Sequence, residues 1–244
     1  MIKRISKTAF LVVVLFGTAA LTSPLIAQTS ESKADPASSS QAMQSTTIQT
    51  DPTKSAAAAA AAPSAEDMQK MMSQMVELAK LGENHKLLGD LAGTWNFVVK
   101  MWMNGDPTSK ADESKGVATR KAIMDGRFYV MDVTGKMQMP GPDGKPKDMT
   151  FKGMGIEGYD NVKKKFIGTW CDNMGTGIMM SEGDYDPATK TFTYHSEYEG
   201  IPGMKQKVRE VIKITDKDHH IFEWYEDRGG SEVKTMEIAY TRKK

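Results

Sequence analysis

Beyond residue 93 the sequence is divided into short segments rich in aromatic and β-branched residues, and this pattern constrains the fold most. Gly, Pro, Asp and Asn separate the segments, as in Asp125-Gly126 and Gly229-Gly230, which is typical of hairpin turns. No long amphipathic helix lies between two segments, so parallel strands have no crossover connection. We therefore predict an all-β fold, an antiparallel up-and-down barrel of about ten strands, whose closure leaves no exposed edge. The predicted strands lie near residues 94–103, 116–124, 127–135, 150–158, 164–171, 177–184, 190–198, 205–215, 219–226 and 232–242.

Side chains alternate in polarity along the predicted strands. In the first strand Trp95, Phe97 and Met101 share one face, and Asn96 and Lys100 share the other. One apolar and one wetter face per strand is what a barrel with an apolar lumen requires. The side chains predicted to contact a ligand in this lumen are Trp95, Met101, Arg120, Trp170, Tyr194, Glu210, Trp224 and Tyr240.

One carboxylate falls on an apolar face. Glu210 alternates with Val208 and Ile212, so it is expected to point inward. Burying a carboxylate alone costs several kcal/mol, so it must be paired or meet water. Arg120, which lies among small residues, is the predicted partner. Two interpretations stay open, a polar anchor for a ligand headgroup and a structural ion pair.

The first residues carry features of an export signal. Residues 1–27 contain Lys3, Arg4 and Lys7, then an apolar run and a small residue, Ala27, which together predict a secretory signal peptide. The run is shorter than the ~20 apolar residues of a membrane-spanning helix, so no integral membrane span is expected after cleavage. We predict an exported protein, periplasmic or extracellular. Residues 28–64 form a Ser/Thr/Ala/Pro-rich stretch without aromatic residues, which predicts a disordered linker.

An amphipathic helix is predicted over residues 65–82. Its methionines recur at helical spacing, Ser64 fits the N-cap and Gly82 the end. Methionine stripes form adaptable apolar docking faces. They also bind Cu(I), but no His or Cys joins this stripe to complete a coordination set.

Charge and motif content exclude several function classes. The chain has 32 basic and 31 acidic side chains, so it has no field with which to gather phosphates, and no nucleic-acid partner is predicted. The one cysteine, Cys171, has no intrachain disulfide partner. His195 and Glu197 share a polar face, which favours a solvated pair over a catalytic one, and only His220 is placed for a haem. We predict no cofactor, no metal and no catalytic residue.

Several motifs resemble a bacterial family, domain of unknown function family 1579. They are the segments 87–95, 126–128, 155–160, 166–174, 176–177, 181–183 and 236–242, and the resemblance covers 83–244. It implies a lipocalin-like (calycin) barrel over 83–244 and brings no known activity. In that superfamily a Gly-x-Trp tryptophan packs against a terminal arginine. The resemblance therefore implies a structural pair in which Arg242 stacks on Trp95, since a guanidinium over an indole gains about 0.5–2 kcal/mol.

Three functions follow from this sequence. The leading hypothesis is a non-enzymatic barrel that binds a small hydrophobic or amphiphilic molecule in its lumen. The first alternative is an envelope protein–protein interaction module with a filled barrel core. The second is an enzyme of unknown reaction that acts at the barrel mouth through Glu210, Arg120 or His195. The sequence does not indicate an oligomeric state.

Overall fold

The computed structural model describes residues 63–141, 143 and 145–244. The predicted signal peptide and residues 28–62 of the predicted linker lie outside the described residues. The described part contains two helices, α1 (Ala65–Leu78) and α2 (Glu83–Asp90), and a short 3₁₀ turn at Met124–Gly126. Its ten strands are β1 (Gly93–Met101), β2 (Asp112–Ile123), β3 (Phe128–Pro140), β4 (Pro146–Asp160), β5 (Lys165–Asp172), β6 (Met179–Asp186), β7 (Thr191–Ile201), β8 (Met204–Asp216), β9 (His219–Asp227) and β10 (Glu232–Arg242).

The ten strands form a closed antiparallel barrel, which confirms the predicted fold class. Each strand pairs with the next along the chain, and β1 pairs with β10 to close the sheet. The closing register places Trp95 opposite Arg242 and Met101 opposite Met236. The predicted strand positions hold to within a few residues, and the largest differences are extensions of β2, β3 and β4. Closure leaves no unpaired edge among these strands.

The cross-strand register sets which side chains face the interior. Trp95 and Phe97 of β1 lie opposite Ala118 and Gly116 of β2, and Gly116 lies opposite Gly135 of β3. A Cβ at Gly116 would lie 2.3 Å from Cζ of Phe97, so this glycine makes the room that the inward phenylalanine occupies.

Helix α2 closes one end of the barrel, which we call the capped end. Leu88 of α2 and Leu91 after it join a buried cluster with Phe166 and Phe192 of the inner wall. The hydroxyl of Tyr129 donates to the His85 carbonyl at 3.3 Å, which fixes the helix over the wall. We call the opposite end, where β1 ends and β2 begins, the far end.

Helix α1 begins with a reciprocal capping pair. The Ser64 hydroxyl accepts from the Asp67 amide at 3.1 Å, and the Asp67 carboxylate accepts from the Ser64 amide at 3.2 Å. The helix ends at Leu78 rather than at the predicted Gly82. The Asn161 side-chain amide donates to the carbonyls of Leu78 and Lys80, both at 2.8 Å, and so supplies partners beyond the last turn. Among the described residues, neither α1 nor α2 has the length and apolar character of a transmembrane helix.

Candidate functional site

An ion pair lies inside the barrel. Nη2 of Arg120 on β2 donates to Oε1 of Glu157 on β4 at 2.8 Å, across the intervening strand β3. The Arg120 side chain is 4% exposed and the Glu157 side chain 14% exposed. The expected partner of Arg120 was Glu210, and the structure corrects this, because the cross-strand register brings Glu157 within reach of the guanidinium.

The predicted strand 150–158 contains Glu157, but sequence reasoning did not single out this carboxylate. Gly155 and Gly158 lie on either side of it, and β4 runs through both glycines to Asp160. Its cross-strand neighbours are Tyr129 and Gly168, and the glycine leaves space for the carboxylate. Glu157 and Tyr159 are two residues apart on one strand, so their alternation could have placed Glu157 on the inner face.

The ion pair does not satisfy all of its own hydrogen-bonding atoms. Nε and Nη1 of Arg120 and Oε2 of Glu157 are buried without a hydrogen-bond partner in the described part of the chain. A buried polar atom left unpaired costs about 1–3 kcal/mol. The pair therefore retains capacity to bind a further polar group.

Glu210 lies beside this pair, on the inner face of β8. Its cross-strand neighbours are Tyr194 on β7 and Trp224 on β9. The Ser196 hydroxyl lies 3.5 Å from its carboxylate. Burial, and secondly the negative charge of Glu157, raise the pKa of Glu210 to about 7. This carboxyl group therefore exchanges its proton near neutral pH.

A buried aromatic layer lies toward the capped end. The ring of His220 stacks on Tyr240 with centroids 4.4 Å apart and meets the edge of Trp95 at 4.4 Å. Burial is the main reason that the pKa of His220 falls to about 3, and burial raises the pKa of Tyr240 to about 12. His220 is thus a neutral packing group at physiological pH. Its ring contacts with Trp95 and Tyr240 fit a packing role better than haem ligation.

The inner wall toward the far end is less tightly covered. Trp170 and Trp224 are half-buried, and their indole N–H groups donate to Asp172 at 2.9 Å and to Glu226 at 3.2 Å. These bonds hold both indoles in fixed orientations along the wall. Other half-buried inward side chains in this region include Met101, Phe151, Met179, Tyr198 and Met236.

The comparisons with known proteins identify the family. A family model described as "Protein of unknown function (DUF1579)" matches residues 80–242. The chain belongs to this family. A comparison with curated proteins finds no match. Among solved structures, a redesigned β-barrel is similar at 14% sequence identity, with 68% of this chain and 100% of that chain covered and a TM-score of 0.31.

The DUF1579 barrel brings the predicted lumen residues together at different depths. The structure places three of them, Trp95, Tyr194 and Tyr240, in buried positions toward the capped end. Met101, Trp170 and Trp224 lie toward the far end, and Arg120 and Glu210 are both within electrostatic range of Tyr194. His195 and Glu197 are exposed on the outer face, where Glu197 pairs with Lys205 at 2.9 Å.

A depression in the barrel wall of this DUF1579 protein has a volume of about 610 Å³. Outward side chains such as Ile156, Met180 and His195 line it, and the inner-face residues Glu157, Ser181 and Ser196 border it as well. Met180 is 70% exposed and belongs to an apolar strip with Ile156. None of the eight predicted ligand contacts lines this depression.

Proposed function

We propose that the barrel binds a small hydrophobic or amphiphilic molecule in its lumen, and that the molecule enters at the far end. The observation that carries this proposal is the unequal exposure of the inner wall. Toward the capped end Phe192 is 0% exposed and Phe166 2% exposed. Toward the far end Trp170 and Trp224 are half-buried although they face inward.

This contrast has a simple physical meaning. A side chain that points into a closed barrel and still contacts solvent must border space that water reaches from inside or from the mouth. Covering a water-exposed aromatic side chain with an apolar molecule favours binding, by about 25 cal/mol per Å² of buried apolar surface. An apolar tail is therefore the expected occupant.

The composition of the wall supports the same proposal. Ligand sites are lined mainly by apolar and aromatic side chains, with a few polar groups that fix orientation. Here aromatic and methionine side chains form the wall, and Glu210 and the Arg120–Glu157 pair supply the polar groups. This combination favours an amphiphile, with its tail along the wall and its headgroup near the charged side chains.

Two wider proposals accompany this function. We propose that the barrel is lipocalin-like, and the packing of Arg242 on Trp95 at the capped end supports this assignment. We also propose that the protein acts outside the cytoplasm, on the basis of the predicted signal peptide.

A titration of the full chain with dodecanol tests the proposed function. We expect a change in tryptophan fluorescence, and native mass spectrometry should detect one bound molecule per barrel. Replacement of Trp224 by Leu should weaken binding about tenfold, because an aromatic face is lost from the wall. The control Met180→Ala removes an outward apolar side chain and should leave binding unchanged. Absence of a bound molecule, or equal effects of the two variants, would contradict the proposal.

A further inference from the structure

The polar groups on the inner wall are predominantly acidic. Two of the inward carboxylates have guanidinium partners in the described residues, since Arg120 pairs with Glu157 and Arg228 pairs with Glu226 at 3.0 Å. Asp172 accepts a hydrogen bond from the indole of Trp170. The described contacts of Glu210 are instead with serine hydroxyls, those of Ser196 and Ser181. Glu210 is therefore an inward carboxylate without a cationic partner among the described side chains.

Aromatic side chains border this carboxylate on both sides. The register places Glu210 between Tyr194 and Trp224 on neighbouring strands. The ring of Tyr198 lies 6.2 Å from that of Trp224, centroid to centroid. Aromatic faces attract cations through their quadrupole, most strongly in desolvated surroundings. A carboxylate between aromatic rings is the chemistry that recognises an organic ammonium group.

Glu157 adds a second acceptor to the same region. Its Oε2 atom is buried and has no hydrogen-bond partner in the described part of the chain, because Arg120 contacts Oε1. Its charge also acts on Glu210 and on Tyr194, which places the three groups within electrostatic range of one another. A primary ammonium carries three N–H donors, so one headgroup has enough donors for both carboxylates.

We propose that the barrel selects amphiphiles with a primary ammonium headgroup, and that this headgroup pairs with Glu210 beside Trp224. This inference rests on the proposed lumen site. The apolar tail then lies along the half-buried wall toward the far end. Glu210 acts as the specificity-determining residue, and Glu157 supplies the second acceptor.

An anionic headgroup is the main competing ligand, because Arg120 also has unpartnered N–H groups. Two features disfavour it. The charge of Arg120 is already balanced by Glu157, and Arg120 is 4% exposed whereas Glu210 is half-buried. When Glu210 is ionised, the three side chains Arg120, Glu157 and Glu210 together carry one net negative charge, which repels a carboxylate ligand.

The test compares three probes with the same tail, namely dodecylammonium, dodecanol and dodecanoate. Each is titrated into the full-length chain below its micelle concentration or, for dodecanol, below its solubility limit. The titrations are done at about pH 8, where Glu210 is ionised. We expect dodecylammonium to bind at least about tenfold more tightly than dodecanol, and dodecanoate to bind more weakly than dodecanol. Because this comparison uses the unmodified chain, it does not depend on whether any variant folds.

Two matched variants then locate the preference. Glu210→Gln should abolish the preference, so that the affinities for dodecylammonium and dodecanol come to within about twofold of each other. Glu113→Gln removes the same charge from an exposed position on the outer face of β2 and should retain the preference. Circular dichroism verifies that both variants are folded.

The outcomes separate this inference from the proposed function. If dodecanol or dodecanoate binds as tightly as dodecylammonium, the ammonium preference is wrong and the lumen site stands. A preference that survives Glu210→Gln, or that Glu113→Gln abolishes, also overturns the inference. If none of the three probes binds, both the lumen site and its selectivity are wrong.

Discussion

Arg242 packs over the indole ring of Trp95, with its guanidinium carbon 4.1 Å from the ring centre. The same guanidinium donates to the carbonyls of Ala92 at 2.6 Å, Asp90 at 2.9 Å and Lys217 at 2.9 Å. One side chain therefore connects the last strand to the first strand, to the segment after α2 and to the β8–β9 turn. These contacts lie where β1 and β10 close the barrel at the capped end.

Replacement of Arg242 by Ala should destabilise the barrel by about 2–4 kcal/mol, because it removes a cation–π contact and several hydrogen bonds from a charged donor. Arg242→Lys keeps the charge but not the planar set of donors, so its loss of stability should lie between zero and that of Arg242→Ala. Urea denaturation measures the loss of stability, and the m-value should stay unchanged. A loss below about 0.5 kcal/mol for Arg242→Ala would show that closure does not depend on this contact.

The Arg120–Glu157 pair should behave as a coupled unit. Arg120→Met or Glu157→Met alone should cost about 3–5 kcal/mol, since each leaves an uncompensated buried charge. The double variant should cost about 2–3 kcal/mol less than the sum of the single variants, because neither charge remains. A double-mutant cycle by denaturant unfolding measures this coupling. Additive losses would mean that the two side chains do not interact in the folded barrel.

Ionisation of Glu210 should lower the free energy of unfolding of the barrel as the pH rises. Its pKa is raised to about 7 in the folded barrel, above the usual value of 4.5, so the folded state binds more protons between these values. Its contribution is favourable at low pH and is lost as the pH rises from about 4.5 to about 7, at a cost of about 2–3 kcal/mol.

Glu210→Gln removes this titration. Relative to the unmodified chain, its free energy of unfolding should therefore increase by about 2–3 kcal/mol between about pH 5 and pH 8. Denaturant unfolding at both pH values measures the difference, and Glu113→Gln is the exposed control. A pH-independent difference would contradict the raised pKa.

His220 should lower the free energy of unfolding of the barrel as the pH falls. Its pKa is lowered to about 3 in the folded barrel, so below about pH 6.5 the unfolded chain binds a proton that the folded barrel rejects. The stability due to neutral His220 is present above about pH 6.5 and is lost as the pH falls toward 3. Between about pH 7 and pH 4, His220→Phe should lose about 2–3 kcal/mol less than the unmodified chain. Parallel pH profiles of the two proteins would rule out a buried neutral histidine.

The barrel itself was predictable because its signals are local. Turn residues such as Asp125-Gly126 and Gly229-Gly230 separate the strands, and alternation of side chains within each strand gives its inner face. The first and last strands have to meet in a closed meander, so the neighbourhood of Trp95 and Arg242 follows from topology. Only the strand ends were less certain.

The polar pairing inside the barrel was not predictable in the same way. Arg120 and Glu157 are 37 positions apart, and their contact depends on the combined register of β2, β3 and β4. The sequence provided Glu210 as an inward carboxylate, but it contained no information on which carboxylate the arginine reaches.

The central claim is that the lumen holds an apolar tail, and a crystal structure of the complex with a brominated dodecanol tests it most directly. Anomalous scattering locates the bromine without reference to the protein side chains. We predict a bromine peak inside the barrel, in contact with Trp170, Trp224 or Met236. A peak only on the outer wall beside Ile156 and Met180, or no peak in a crystal grown with saturating ligand, would contradict the claim.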